Sequence, residues 1–162
     1  MLRLRRRQRL RRKEAQAIVE RLKNQLGIEI AGAEEPIDTA EADDWRVILV
    51  KDKSVGFILN DRPFLTIRGL LAFKPNRLYV TVDMGAVKFV YNGADIMAPG
   101  VVDADRAIKV GDLVWVRDEK NKQPLAIGEA LITGDEMIVA ESGKAVKSIH
   151  HVGDNLWKID EE

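Results

Sequence analysis

Apolar residues recur at Ala15, Ile18, Val19, Leu22 and Leu26, three and four positions apart, and Gly27 closes the series. That spacing predicts an amphipathic helix over residues 13–26, with one buried stripe. The arginine-rich stretch before it reads as a backward continuation of the same segment. Residues 28–44 have an acidic bias and no clear period, and read as a loop. The apolar runs at 45–50 and 55–59 predict strands, with residues 51–54 as a hairpin turn. Asn60-Asp61-Arg62-Pro63 marks another turn, and Thr66 is placed to cap a short helix through Phe73, before Lys74-Pro75.

Beyond residue 75 the elements shorten and turn signals multiply. A strand is predicted at 78–82 and a helix of about two turns at 84–91, ending at Asn92-Gly93. Apolar runs follow at 96–102 and 113–117, and further elements at 124–131, 137–140 and 144–151. Short strands with regular turns and one or two brief helices predict a small, mostly β barrel. The domain boundary is expected at 74–77. The class is therefore α+β: an α/β domain over residues 1–75, then a small β-barrel domain over 76–162.

A length of 162 residues accommodates one domain or two small ones of roughly 75–90 residues. The absence of cysteine excludes disulfides, thiolate nucleophiles and cysteine-bound zinc. No apolar run approaches the roughly 18–20 residues of a membrane span. The basic start leads into no apolar stretch of about 7–15 residues, as a secretory signal would require. A soluble, cytoplasmic protein without membrane attachment is expected.

The formal net charge is zero, but it is unevenly distributed. Residues 1–13 hold eight cations (Arg3, Arg5, Arg6, Arg7, Arg9, Arg11, Arg12 and Lys13) and no acid, leaving the remainder at −8. Like charges at this density oppose compact folding unless something neutralises them. A polyanion such as RNA is one candidate, since the planar guanidinium fork suits phosphate. The acidic stretch Glu34, Glu35, Asp38, Glu41, Asp43 and Asp44 is a second, and a frayed, solvated helix end is the third reading. Cations at a helix N-terminus also oppose the macrodipole.

Enzyme chemistry finds little support. His150 and His151 are adjacent in a strand-like run, where neighbours face opposite ways, so one metal ion could hardly take both. Gly143-Lys144 lacks the Ser/Thr and the earlier glycine of a phosphate-binding loop, since Ala145 and Ile138 stand there. Asp103, Asp105 and Asp112 read as turn residues in preference to Mg²⁺ ligands. No cofactor, metal or catalytic residue is expected. Trp115 beside Arg117 is open to base stacking, although a core contact is the favoured reading.

The run from Val82 to Val101, Val-Asp-Met-Gly-Ala-Val-Lys-Phe-Val-Tyr-Asn-Gly-Ala-Asp-Ile-Met-Ala-Pro-Gly-Val, resembles the opening of a PUA domain. That RNA-binding β-barrel module is named after pseudouridine synthase and archaeosine transglycosylase. Lys109-Val110-Gly111-Asp112-Leu113-Val114, Ala126-Ile127-Gly128-Glu129-Ala130 and Gly143-Lys144-Ala145-Val146 match later landmarks in order. The ending Ile149-His150-His151-Val152-Gly153-Asp154-Asn155-Leu156-Trp157 resembles the malignant T-cell amplified sequence and ligatin proteins, whose archaeal-type counterparts join a pre-PUA domain to a PUA pseudobarrel. Arg11-Arg12-Lys13-Glu14 and Pro63-Phe64-Leu65-Thr66 carry a weaker match in the first half.

The resemblance implies RNA contacts on the first PUA helix, the strand after it and the closing strand. On this chain these are Lys88, Gly93, Ala94, Asp95, Ile96, Met97, Pro99, Gly100 and Val101, with Lys144 and Lys147 opposite. Bare glycine backbone near a helix end suits close approach to RNA. The competing reading makes Ile96 and Met97 core and the lysines solvated. Residues 76–162 hold ten basic and fifteen acidic side chains, so the arm is expected to supply much of the attraction to phosphate.

The function implied is a non-enzymatic, translation-related RNA-binding protein docking on small-subunit ribosomal RNA or transfer RNA. Ribosomal proteins or an initiation factor are possible partners. The alternatives are a protein-interaction adaptor in translation initiation and an accessory of RNA modification.

Overall fold

In a computed structural model, the structure describes residues 3–160. Residues 1, 2, 161 and 162, which the arm and the C-terminal domain were expected to include, lie outside the described residues. Two compact units form: one runs up to Asn76 and takes in the chain from Asn155 onward, and the other spans Arg77–Asp154. Residues 155–160, assigned by sequence to the second domain, thus pack with the first unit.

The first unit is a five-stranded antiparallel meander with two helices. Its elements are β1 (Arg5–Arg9), α1 (Arg12–Leu26), β2 (Ile37–Ala42), β3 (Trp45–Val50), β4 (Lys53–Leu59), β5 (Arg62–Leu65) and α2 (Ile67–Phe73), with the strands in the order β1-β2-β3-β4-β5. Phe57, Phe64, Leu22, Leu26, Ile48 and Leu70 are fully buried in its core. The Phe57 and Phe64 rings meet edge-on with centroids 6.4 Å apart. The hydroxyl of Thr66 accepts the Gly69 N–H at 3.2 Å and caps α2, as its position predicts.

Two expectations for the arm are corrected. The stretch before α1 is a strand instead of a helical extension, and the expected loop at 28–44 contains β2, its partner, with Arg9 opposite Asp38 and Gln8 opposite Thr39. Strand geometry puts Arg7 and Arg9 on the same side, two residues apart, and both reach one carboxylate. Arg7 Nε donates to Asp38 Oδ2 at 2.8 Å and Arg9 Nε to Oδ1 at 2.5 Å. In a helix the two arginines would diverge by about 200°. Arg6 pairs with Glu41, Arg7 also with Asp52, and Arg12 with Glu34. Of the three readings of the arm, folding onto the acidic stretch is the one this geometry realises. Helix α1 then starts behind Arg11, whose N–H is accepted by Glu14.

The second unit contains β6 (Tyr79–Val82), α3 (Val87–Tyr91), β7 (Ile96–Met97), β8 (Val101–Ala104), β9 (Leu113–Asp118), β10 (Pro124–Ala130), α4 (Gly134–Val139) and β11 (Lys144–His151). Its strands form one six-stranded sheet in the order β7-β11-β10-β9-β6-β8, antiparallel except for the β6–β9 pair. The sheet curls around a core that includes Val80, Val82, Ile96, Val114, Val116 and Met137. The apolar run at 96–102 is broken by a 3₁₀ turn over Ala98–Gly100, because Pro99 cannot donate a ladder hydrogen bond. Residues 134–139 are helical, since Thr133 and Glu136 form a reciprocal capping box. The helix predicted at 84–91 is shorter, because Asp83 Oδ1 accepts the Ala86 N–H at 2.9 Å and holds residues 83–86 in a turn. Trp115 is buried and its Nε1 donates to Arg77 O at 2.7 Å, a core role.

Candidate nucleic-acid interface

The site is assembled by three short pieces of backbone. Helix α3 is anchored by Val90, which is buried, and it ends where the N–H groups of Gly93 and Ala94 donate to Val90 O and Phe89 O, both at 3.0 Å. Gly93 takes φ +84°, and a Cβ there would sit 3.0 Å from His151 Nε2, so turn and packing both favour glycine. Strand β7 then pairs with β11, Met97 opposite Lys144 and Ile96 opposite Val146. The Ala98 N–H donates to Gly143 O at 2.8 Å and draws the 3₁₀ turn against the start of β11.

Between these pieces lies a cleft of about 520 Å³. Its lining includes Ala94, Asp95, Ile96, Met97, Gly100 and Lys144, all expected site residues. Lys144 Nζ lies 3.0 Å from Asp95 Oδ2, and Asp95 Oδ1 accepts the Ser148 N–H at 2.9 Å. The Ser148 amide, with the Lys144 ammonium next, holds the Asp95 carboxyl below its ordinary pKa against the opposing effect of burial. Asp95 is therefore an ionised acceptor at neutral pH.

The other expected residues flank the cleft or lie elsewhere. Lys88 is exposed on α3 with Nζ 5.1 Å from the Phe89 ring centre. Lys147 is exposed on β11, near enough to Asp95 to favour its charged form. Pro99 is exposed in the 3₁₀ turn, whereas Val101 is buried in the barrel core. The arm cations Arg3, Arg5, Arg6, Arg7, Arg9, Arg11, Arg12 and Lys13 belong to the first unit.

Sequence reasoning missed Phe89, which lines the cleft with 56% of its surface exposed. The signal was present: Ala86 and Val90, four apart, share the inward face of α3, and Phe89 falls beside it. Gly85 and Ala86 complete the wall. A larger groove of about 810 Å³ lies in the first unit along α1, but opposite charges span it through the Arg12–Glu34 and Lys23–Glu29 pairs. Among the described residues no three His, Asp or Glu side chains converge as metal ligands, and no helix is long and apolar enough to cross a membrane.

Residues 79–152 match the family model described as the PUA domain, and they contain the whole cleft lining. An uncharacterised protein of Methanocaldococcus jannaschii is 46% identical over 123 residues, 76% of each chain. Translation machinery-associated protein 20 of Saccharomyces cerevisiae is 37% identical over 89 residues, 51% of this chain and 49% of its own. Malignant T-cell-amplified sequence 1 of Rattus norvegicus is 26% identical over 158 residues, covering 88% and 87% of the two chains. A conserved PUA domain protein from Thermoplasma acidophilum superposes with a TM-score of 0.79 at 31% identity, over 94% of this chain and 97% of that one. The ordered PUA landmarks, the cleft they build and these likenesses agree: the chain belongs to the PUA-domain proteins, with homologues among the translation machinery-associated and malignant T-cell-amplified sequence proteins.

Proposed function

We propose that this chain is a non-enzymatic, translation-related RNA-binding protein that docks on the small ribosomal subunit or on transfer RNA through the α3–β7–β11 face of its second unit. The observation that carries this reading is the open cleft itself. An exposed aromatic ring, bare glycine backbone and a lysine rim meet within the PUA-matched segment, and such surfaces take single-stranded RNA by stacking and phosphate contact. Lys88 and Lys147 serve as phosphate contacts at the rim, and the cleft takes the less charged part of the ligand. A homologue named for association with the translation machinery supports the cellular setting.

The arm contributes less than its charge count suggests. Arg6, Arg7, Arg9 and Arg12 are engaged by the protein's own carboxylates, whereas the side chains of Arg3, Arg5, Arg11 and Lys13 have no carboxylate partner among the described residues. The latter are the arm residues offered to phosphate. Those internal pairs also favour a second reading, an adaptor that meets another protein of the initiation machinery.

Co-sedimentation with purified small and large ribosomal subunits and bulk transfer RNA, across a salt series, tests the proposal. Salt-sensitive binding to the small subunit or to transfer RNA is expected. Binding to none of them would overturn the RNA reading in favour of the adaptor.

A further inference from the structure

The cleft joins an apolar floor to a charge-compensated wall. Phe89 and Met97, exposed to 56% and 47%, face solvent beside the buried Val90 and Ile96. The one cation in the lining, Lys144, is already paired with Asp95 at 3.0 Å. A phosphate entering here would find no uncompensated cation and would meet a carboxylate, so phosphates belong at the Lys88 and Lys147 rim. A flat, uncharged group fits the interior, stacked against Phe89 and Met97.

Asp95 then faces that group as an acceptor without a proton to give. A carboxylate has about four lone-pair sites, and the Ser148 N–H and Lys144 use two of them. The remaining sites accept donors and repel carbonyl oxygens. We propose that Asp95 reads the edge of an unpaired nucleobase held in this cleft, selecting a base with an exocyclic amine over uracil. The inference rests on the RNA-binding reading above and adds a specificity to it. Cytosine and uracil make the sharpest comparison, because the two pyrimidines are close in size and stacking area and differ where cytosine carries N4–H₂ and uracil O4.

The test uses the full chain and fluorescence anisotropy with labelled single-stranded hexamers of cytidine and of uridine. The cytidine hexamer is expected to bind roughly tenfold more tightly. In Asp95→Asn the amide presents a donor as well as an acceptor, so the ratio should fall towards one. Loss of the compensating charge beside Lys144 should leave the uridine affinity equal or higher. Asp95→Ala, with folding checked by thermal melting, provides the second variant. A purely structural role for Asp95 would weaken both hexamers alike and leave the ratio intact, which would overturn the proposal. Equal wild-type affinities would also overturn it while leaving the RNA reading standing. Binding of neither hexamer, nor of ribosomal or transfer RNA, would overturn both.

Discussion

The guanidinium carbon of Arg68 lies 3.6 Å from the centroid of the Trp157 ring, and Arg68 Nη2 donates to the Trp157 carbonyl at 3.3 Å. A residue on α2 is thus held by one that follows it 89 positions later, next to Leu156, which is buried with Ala40, Val47 and Leu49. The chain's closing turn is part of the first unit's core. Leu156→Ala should cost about 2–4 kcal/mol, and Trp157→Ala about 1–3 kcal/mol through lost cation–π and packing contacts. Urea unfolding followed by tryptophan fluorescence in a Trp115→Phe background reads out the first unit, through Trp45 and Trp157 together or through Trp45 alone in Trp157→Ala. An unchanged midpoint in Leu156→Ala would refute this assignment.

Asp38 ties the arm down. Its carboxyl lies below the ordinary range because Arg9 and then Arg7 hydrogen-bond to it, against the cost of burial. A depressed folded value means that the contribution is complete above the unfolded pKa of about 4 and is lost as pH falls through the folded one. Both guanidiniums are substantially exposed, so solvent screens the pairs and the effect of Asp38→Asn should be modest, about 1 kcal/mol. The stability difference between wild type and Asp38→Asn at pH 7 should shrink at pH 3. A difference that grows on acidification would contradict the sign.

The same substitution bears on RNA. Removing the carboxylate releases Arg9 and leaves Arg7 with Asp52 alone, so Asp38→Asn should raise affinity for mixed single-stranded RNA and steepen its salt dependence by roughly 0.7 per added phosphate contact. Affinity measured at 50 and 200 mM salt checks this.

Phe89→Ala should weaken single-stranded RNA binding by about 1–3 kcal/mol, the usual worth of one stacked base. Because the ring is largely exposed, the melting temperature should barely move. Lys88→Glu and Lys147→Glu should each lower affinity across all sequences and reduce the salt slope. A loss confined to one sequence would contradict a phosphate role.

Gly93→Ala places a Cβ at φ +84°, against the His151 ring. A loss of about 1–2 kcal/mol is expected from the left-handed backbone alone, with distortion of the cleft beyond α3. Thermal melting and hexamer affinity should fall together. Glycine here serves shape before it serves any ligand.

Local patterns determined much of this protein. The stripe from Ile18 to Leu26, the Thr66 cap and the apolar runs at 45–50 and 55–59 each specify an element through contacts a few residues apart, and those elements form as predicted. Asp95 and Lys144 were legible as neighbours of one site only through the ordered PUA landmarks, since 49 positions separate them. What the tertiary structure decided is where charges find partners. Eight cations in thirteen residues look unsatisfied along the chain, and residues 37–42 show no strong strand signal. Pairing β1 with β2 brings Arg7 and Arg9 to Asp38 across about thirty residues, and the ladder hydrogen bonds and ion pairs then outweigh local propensity. Long-range pairing of this kind leaves no periodic trace, because its free energy arises only once the two segments meet.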